Sequence, residues 1–230
     1  KQPINKHRSH IPNVLILGCK CNYLMQIQTN FKNIIFDFGG VILNIDYNRS
    51  VEAFKKIGLT NFEKYYSQAE QKELFDNLET GYISPQDFRN ELKRHLDGNY
   101  TDADIDKAWN AMLLDLPEER VQLLDSIKSK YRTFLLSNTN KIHHTAFSSS
   151  LKKKFNRDIF SELFEKAYFS HEINMRKPNA EIFELVLNEN GLKKEETLFI
   201  DDSIQHIEGA NKLGIQTIFL KKGESILSYF

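Results

Sequence analysis

Ile34-Ile35-Phe36-Asp37-Phe38-Gly39-Gly40-Val41 is an apolar run that breaks on a carboxylate followed by two glycines. A short unbroken apolar run bounded by glycine is the pattern of a strand buried on both faces, as in a parallel sheet. A carboxylate at its end has no packing reason to exist, and the glycines let backbone come close to a ligand. The strand is expected over Asn33–Phe38. Asp37 at its end is the candidate nucleophile, against the plainer alternative of a residue that only caps a turn.

Three later segments repeat the arrangement. Phe134-Leu135-Leu136-Ser137-Asn138-Thr139-Asn140 ends an apolar run in small hydrogen-bonding residues suited to holding oxyanions. Asn174-Met175-Arg176-Lys177-Pro178-Asn179 fixes a lysine ahead of a proline, which holds the residue before it extended and can start a helix. Leu198-Phe199-Ile200-Asp201-Asp202-Ser203 ends a strand in two adjacent carboxylates. Like charges there are costly unless a cation holds them, and Mg²⁺ takes one or two carboxylates together with substrate oxygens and water. In an open parallel sheet, residues just beyond the carboxyl ends of strands converge on one edge, where such folds bind ligands. One nucleophile, one hydroxyl, one cation and an acidic pair are therefore expected in one pocket.

The rest of the chain frames that pocket. Further strands are expected over Thr133–Leu136, Ala167–Phe169, Thr197–Ile200 and Gln216–Leu220, with helices such as Ala180–Asn190 and Ile204–Leu213 between them. This alternation implies an α/β fold with a parallel sheet. Between the first strand and the rest, about Asn48–Met112 reads as a block of amphipathic helices. It is too long for one crossover and should form a separate cap subdomain. Ser84-Pro85-Gln86-Asp87, Thr101-Asp102-Ala103-Asp104 and Pro117-Glu118-Glu119 carry the caps and first-turn acids of helix starts. The organisation read from the chain is an N-terminal extension over 1–30, an α/β core over 31–46 and 114–230, and a helical cap over 47–113. Residues 1–24, rich in Lys, His, Asn and Gln and preceding Met25, read as an upstream arm.

Composition narrows the function classes. The 230 residues carry 31 acidic and 31 basic side chains, for a formal net charge of zero. That gives no global electrostatic argument for nucleic acid or an anionic membrane. No apolar run approaches the ~18 residues of a spanning helix, so a cytoplasmic protein without membrane or nucleic-acid partners is expected. The two cysteines, Cys19 and Cys21, are too close to staple a fold and lack zinc-ligand spacing, so ordinary reduced thiols are expected. Oligomeric state is not legible.

Taken in order, Asp37-x-x-x-Val41, Ser137-Asn138, Lys177-Pro178 and Asp201-Asp202 resemble the four motifs of the haloacid dehalogenase-like hydrolases. The resemblance runs from about Asn33 to the C-terminus. Phe36-Asp37-x-Gly39-x-Val41, Asp46-x-x-Arg49, Met175-Arg176-Lys177-Pro178 and Ile207-Glu208-Gly209-Ala210 resemble the branch that includes bacterial α-glucose-1-phosphate phosphatase. The resemblance implies a Rossmann-like core with helices on both faces and an inserted four-helix cap. It also implies a Mg²⁺-dependent phosphatase acting on a small phosphorylated metabolite, with a phosphosugar such as a sugar 1-phosphate favoured. Asp37 would form an aspartyl-phosphate. Mg²⁺ would be held by Asp37, the Gly39 carbonyl, Asp202 and, directly or through water, Asp201. Ser137, Asn138 and Lys177 would neutralise the phosphoryl oxygens, with Lys177 also restraining Asp37, and Arg49 is a candidate phosphate or sugar contact.

The sequence departs from the family at one place. Most phosphatases of the family carry an acid/base aspartate two residues after the nucleophile, and here that position is Gly39, as in the glucose-1-phosphatase-like branch. Such a group contributes ~10²–10⁴ in rate; Asp46 or a cap residue is the candidate substitute. A dehalogenase also lacks that aspartate, but halide displacement needs no metal, so the acidic pair argues against it. A mutase depends on the missing group, and a degenerate phosphate-binding protein is the non-enzyme alternative. His143 and His144 are expected to be solvated, and Trp109 to be cap core.

Overall fold

The computed structural model describes residues 31–59, 73–96 and 98–230. The expected arm over 1–30, with Cys19, Cys21 and Met25, lies outside them. Five parallel strands are present: β1 Asn33–Phe36, β2 Arg132–Ser137, β3 Lys166–Phe169, β4 Thr197–Asp201 and β5 Gln216–Phe219. Their order is β3-β2-β1-β4-β5, so the strand carrying Asp37 lies at the centre, flanked by the strands that deliver Ser137 and Asp201. The order reverses on either side of β1, which makes its carboxyl end the switch point where a crevice opens.

Alternating side chains divide the sheet into two dry faces. Ile34, Phe36, Leu135, Leu198 and Ile200 pack on one side with Val121 and Leu124 of α5 (Glu118–Ile127) and with Phe147 and Leu151 of α6 (Lys141–Phe155). Ile35, Phe134, Leu136 and Phe199 pack on the other with Phe183 and Val186 of α9 (Ala180–Glu189) and Ile207 of α10 (Ile204–Lys212). Short helices α7 (Ile159–Leu163) and α8 (Ser170–Ile173) flank β3. The β1 strand ends two residues earlier than its apolar run. At that point the Phe38 carbonyl accepts the amides of Ile42 and Leu43, and Gly40 takes a φ of 82°, turning the chain away from the sheet.

Four helices of the described residues lie between β1 and α5: α1 Tyr47–Lys56, α2 Glu73–Glu79, α3 Pro85–Arg94 and α4 Asp102–Asn110. They have an apolar cluster of their own, with Phe54, Phe75, Phe88, Ile105 and Trp109 buried and Ile142 joining from α6. Trp109 meets Phe75 and Phe88 at ring-centroid distances of 5.3 and 5.5 Å. The Ser50 hydroxyl ties α1 to the end of α4, donating to the Trp109 carbonyl at 2.7 Å and accepting the Met112 amide at 3.1 Å. Among the described residues no helix is long and apolar enough to cross a membrane.

Two of the expected helix starts are full capping boxes. Ser84 accepts the Asp87 amide while Asp87 reaches back to the Ser84 amide, and Thr101 and Asp104 do the same. At the third, Pro117 occupies the cap position itself, so α5 begins without a side-chain cap. Replacing Thr101 by Ala should therefore cost roughly 0.5–2 kcal/mol, while Pro117→Ala should cost less because no cap bond is lost. Urea denaturation of the two variants checks the order.

Candidate active site

The loops beyond β1, β2 and β4 enclose a cavity of about 110 Å³, lined by Asp37, Gly39, Ser137, Asn138 and Asp202. Lys177 lies beneath it, fully buried, with its ammonium donating to Asp37 Oδ1 at 2.6 Å and Asp201 Oδ2 at 2.7 Å. The lysine is fixed by its backbone as well as its charge. Asn138 Oδ1 accepts the Lys177 amide at 3.0 Å, and Asn138 Nδ2 donates to the Lys177 carbonyl at 2.9 Å. That pair of bonds joins the second and third motifs. The Lys177–Pro178 peptide is cis, and α9 begins two residues beyond Pro178, so the proline shapes the loop rather than starting the helix.

Two glycines permit the close approaches. A Cβ on Gly40 would stand 2.1 Å from Asp202 Oδ2, and one on Gly209 would stand 2.5 Å from the Pro178 carbonyl. Neither space admits a side chain. Thus the loop after Asp37 lies against the acidic pair, and α10 lies against the loop that carries Lys177.

The three carboxylates differ because their partners differ. Burial raises Asp201, but Lys177 and His206 outweigh it and hold the group at about 2. Its oxygens are engaged: Oδ1 accepts the Ser203 amide at 2.7 Å, Oδ2 accepts Lys177, and His206 Nδ1 stands 3.0 Å from both. Asp37 is pushed up to about 6 by burial, with Lys177 opposing and Asp201 adding to the rise. Asp202 is pushed up to about 8 by burial and by the charges of Asp37 and Asp201. Lys177 is raised despite its burial because Asp201 and Asp37 surround it. One ammonium does not balance this much negative charge.

The imbalance is what a cation site requires. Carboxylate oxygens of Asp37, Asp201 and Asp202 lie within 4.8 Å of one another. They are hard oxygen donors in a concave setting, which suits Mg²⁺. Asp202 is the carboxylate with room for an ion, since Asp201 is committed to Lys177, Ser203 and His206.

Other expected residues fall elsewhere. Arg49 does not line this cavity: it projects from α1 with 62% of its side chain exposed, 3.7 Å from Asp46 in a surface salt bridge. Asp46 is the N-cap of α1, accepting the Asn48 amide, and it too stands off the cavity wall, which weakens it as a substitute acid. His143 corrects the expectation of a solvated histidine. It is buried against Trp109, with rings stacked at 4.6 Å; Asn140 Nδ2 donates to its Nδ1 and its Nε2 donates to the Trp109 carbonyl. Burial holds it near a pKa of about 4, so it is a neutral joint between cap and core. His144 is also largely enclosed, 4.3 Å from the Phe169 ring.

Three participants were not read from the sequence. His206 lines the cavity and braces Asp201; its place in the first turn of a helix following the acidic pair was the available signal. Arg176 and Glu79 also reach the cavity and pair at 3.2 Å, and Arg176 bonds Asp76 as well. Arg176 thus ties the lysine loop to α2. No local pattern marks a partner a hundred residues away.

Comparison with known proteins agrees with this geometry. Residues 34–220 match the haloacid dehalogenase-like hydrolase family, and the chain belongs to it. A D-ribitol-5-phosphate phosphatase of Bacteroides thetaiotaomicron is 30% identical over 84% of this chain and 93% of its own. A haloacid dehalogenase family enzyme from the same organism, solved with magnesium and inorganic phosphate, has 38% identity and a TM-score of 0.80, covering 87% of this chain and 99% of that one. A hydrolase of the same family from Porphyromonas gingivalis has 34% identity and a TM-score of 0.79 over 87% and 96%. The chain is a hydrolase with a Rossmann-like core.

The carboxylate cluster makes metal-free stability fall with pH. Asp202 and Asp37 keep their protons in the folded state to about 8 and 6, whereas both are ionised above about 4 when unfolded. At these two groups the folded state therefore binds more protons between pH 4 and 8, and their contribution to stability is lost as pH rises through that window. Asp201, depressed to about 2, acts oppositely and only below pH 4. In chelator, Tm should fall from pH 7 to 8, above the range in which buried His143 and His171, both held at about 4, add stability as pH rises, and Asp202→Asn should flatten the slope; a wild-type Tm that rises from pH 7 to 8 would contradict the charge assignment.

Proposed function

We propose that this hydrolase is a Mg²⁺-dependent phosphatase acting on a small phosphomonoester, with a sugar or sugar-alcohol phosphate favoured. The observation that carries the reading is the buried bridge from Lys177 to Asp37 and Asp201 beneath a cavity that also exposes Asp202. The magnesium and phosphate in the 38%-identical structure and the phosphatase activity named for the 30%-identical relative support it. The cavity is of a size for a phosphoryl group with a short carbon chain, not for a macromolecule.

Asp37 is the proposed nucleophile, attacking phosphorus to give an aspartyl-phosphate that water then hydrolyses. Its Oδ1 is held by Lys177, which leaves Oδ2 to attack and keeps the carboxylate ionised although burial opposes it. Ser137 and the backbone of Asn138, at the end of β2, face the phosphoryl oxygens. Mg²⁺, held by Asp37, Asp202 and the Gly39 carbonyl, with Asp201 behind them, would supply further charge compensation when bound. Gly39 leaves no carboxylate two residues beyond Asp37. A Cβ there would meet Ile45 Cδ1 at 3.3 Å, a close contact with an apolar side chain. The helices over 47–113 are proposed as the cap that closes the cavity, since Tyr47, Glu79, Met112 and Leu113 line it. Glu79 and Arg176 would meet substrate hydroxyls.

The test is a screen of sugar, sugar-alcohol and nucleoside phosphates with and without Mg²⁺. Wild type should release phosphate only with Mg²⁺. Asp37→Asn should fold, hold the metal and lose turnover by about 10⁴-fold or more, because an amide of the same shape is not a nucleophile. Activity within tenfold of wild type would remove the nucleophile assignment, and Mg²⁺-dependent phosphorylation of Asp37 without turnover would favour a degenerate phosphate binder.

A further inference from the structure

Away from the catalytic carboxylates, His144 of α6 and His171 and Glu172 of α8 form a second cluster of donors. His144 Nδ1 and His171 Nε2 lie 3.7 and 3.8 Å from the same oxygen, Glu172 Oε1, and one ligand atom from each residue falls within 4.8 Å of the others. The imidazole centroids are 5.2 Å apart with planes at 55°, so the rings converge instead of stacking.

His171 is the decisive member. Its side chain is 5% exposed, and neither ring nitrogen has a hydrogen-bond partner among the described residues. Buried polar atoms are normally satisfied, so an imidazole left in this state calls for an explanation. Burial keeps it neutral, with His144 and Lys141 opposing a proton and the nearby Thr139 backbone slightly favouring one. A neutral imidazole beside a second imidazole and a carboxylate is a set of metal donors lacking only the ion.

We propose that His144, His171 and Glu172 form a binding site for a single Zn²⁺-class divalent ion, separate from the Mg²⁺ site. Two nitrogens and one oxygen suit Zn²⁺ and its neighbours, whereas Mg²⁺ prefers oxygen alone. Three protein ligands leave a fourth position for water. The two nitrogen-to-oxygen separations near 3.7 Å exceed those around a tetrahedral ion by only about 0.5 Å, and the two nitrogens lie within 4.8 Å of each other. Glu172, with 47% of its side chain exposed, has the freedom to close that gap. Of the nearby charges Lys141 disfavours a cation at His144, and Glu172 and Asp158 favour one. An ion here would clamp the start of α6 to α8, on which the cap rests through Asn174 Nδ2 donating to the Thr80 carbonyl at 2.7 Å.

The full-length protein, stripped of metal and resupplied with saturating Mg²⁺, is titrated with Co²⁺ as a spectroscopic probe and with Zn²⁺ by calorimetry. One equivalent should bind, with visible Co²⁺ bands free of thiolate charge transfer, and Tm should rise on Zn²⁺ addition. His171→Ala and Glu172→Gln should each weaken binding by at least ~10-fold. Glu172→Gln, half exposed, guards against misfolding of the buried variant. Asp202→Asn and the double change Cys19→Ser, Cys21→Ser should leave the equivalent in place. No binding in wild type, equal binding in the His171 and Glu172 variants, or loss confined to the Asp202 or cysteine variants would overturn the site.

Discussion

The structure turns on one ammonium group. Lys177 is fully buried, and a charge taken that far from water is tolerable only when partners replace its hydration. It has two, Asp37 and Asp201, delivered by the ends of adjacent strands at the centre of the sheet. Removing either partner would strip the ammonium of one of its two direct bonds, and removing the lysine would leave two buried carboxylates and the partly buried Asp202 facing one another. The site is therefore a mutual constraint, in which the lysine and the carboxylates offset one another's burial. Its remaining excess of negative charge falls on Asp202, the carboxylate left open to the cavity.

Topology makes the constraint possible. With β1 between β2 and β4 in parallel register, the carboxyl ends of all three strands emerge together, Phe36 opposite Leu135 and Ile200. The lysine comes from a loop that no strand positions, and it is held by side-chain bonds to Asn138 and by the absence of a side chain at Gly209, while Gly40 lets the loop after Asp37 approach Asp202. Close approach of three backbone segments substitutes here for the precision that a strand end supplies elsewhere.

The sequence revealed those parts of the design that are local. Three of the four motifs end an apolar run, so the burial of β1, β2 and β4 and the gathering of Asp37, Ser137 and Asp201 follow from pattern alone. Capping at Ser84 and Thr101 was equally legible, because a capping box is complete within four residues. What escaped is long-range. Arg176 was visible only as part of the lysine motif, yet its partners Asp76 and Glu79 come from α2. His143 looked solvated because it stands near a helix start, and only the packing of Trp109 across it makes that start an interior place. Arg49 erred in the opposite sense. Its position in the motif pointed inward, but the orientation of α1 turns it to solvent, and nothing in its neighbours' pattern fixes that orientation.

The vacancy at Gly39 has a structural consequence that bears on the proposed chemistry. Ile45 occupies the side of the loop where an acid at position 39 would extend. A carboxylate restored at this position would ask Ile45 Cδ1, 3.3 Å from the added Cβ, to give by a few tenths of an ångström. Protonation of the departing oxygen, on the phosphatase reading, then falls to water or to a group across the cavity. Glu79 is on that opposite wall, brought by α2 and held by Arg176 next to the lysine loop. The ion pair that joins α2 to the lysine loop thus also brings a carboxyl group to the cavity, which would couple leaving-group chemistry to the seating of α2.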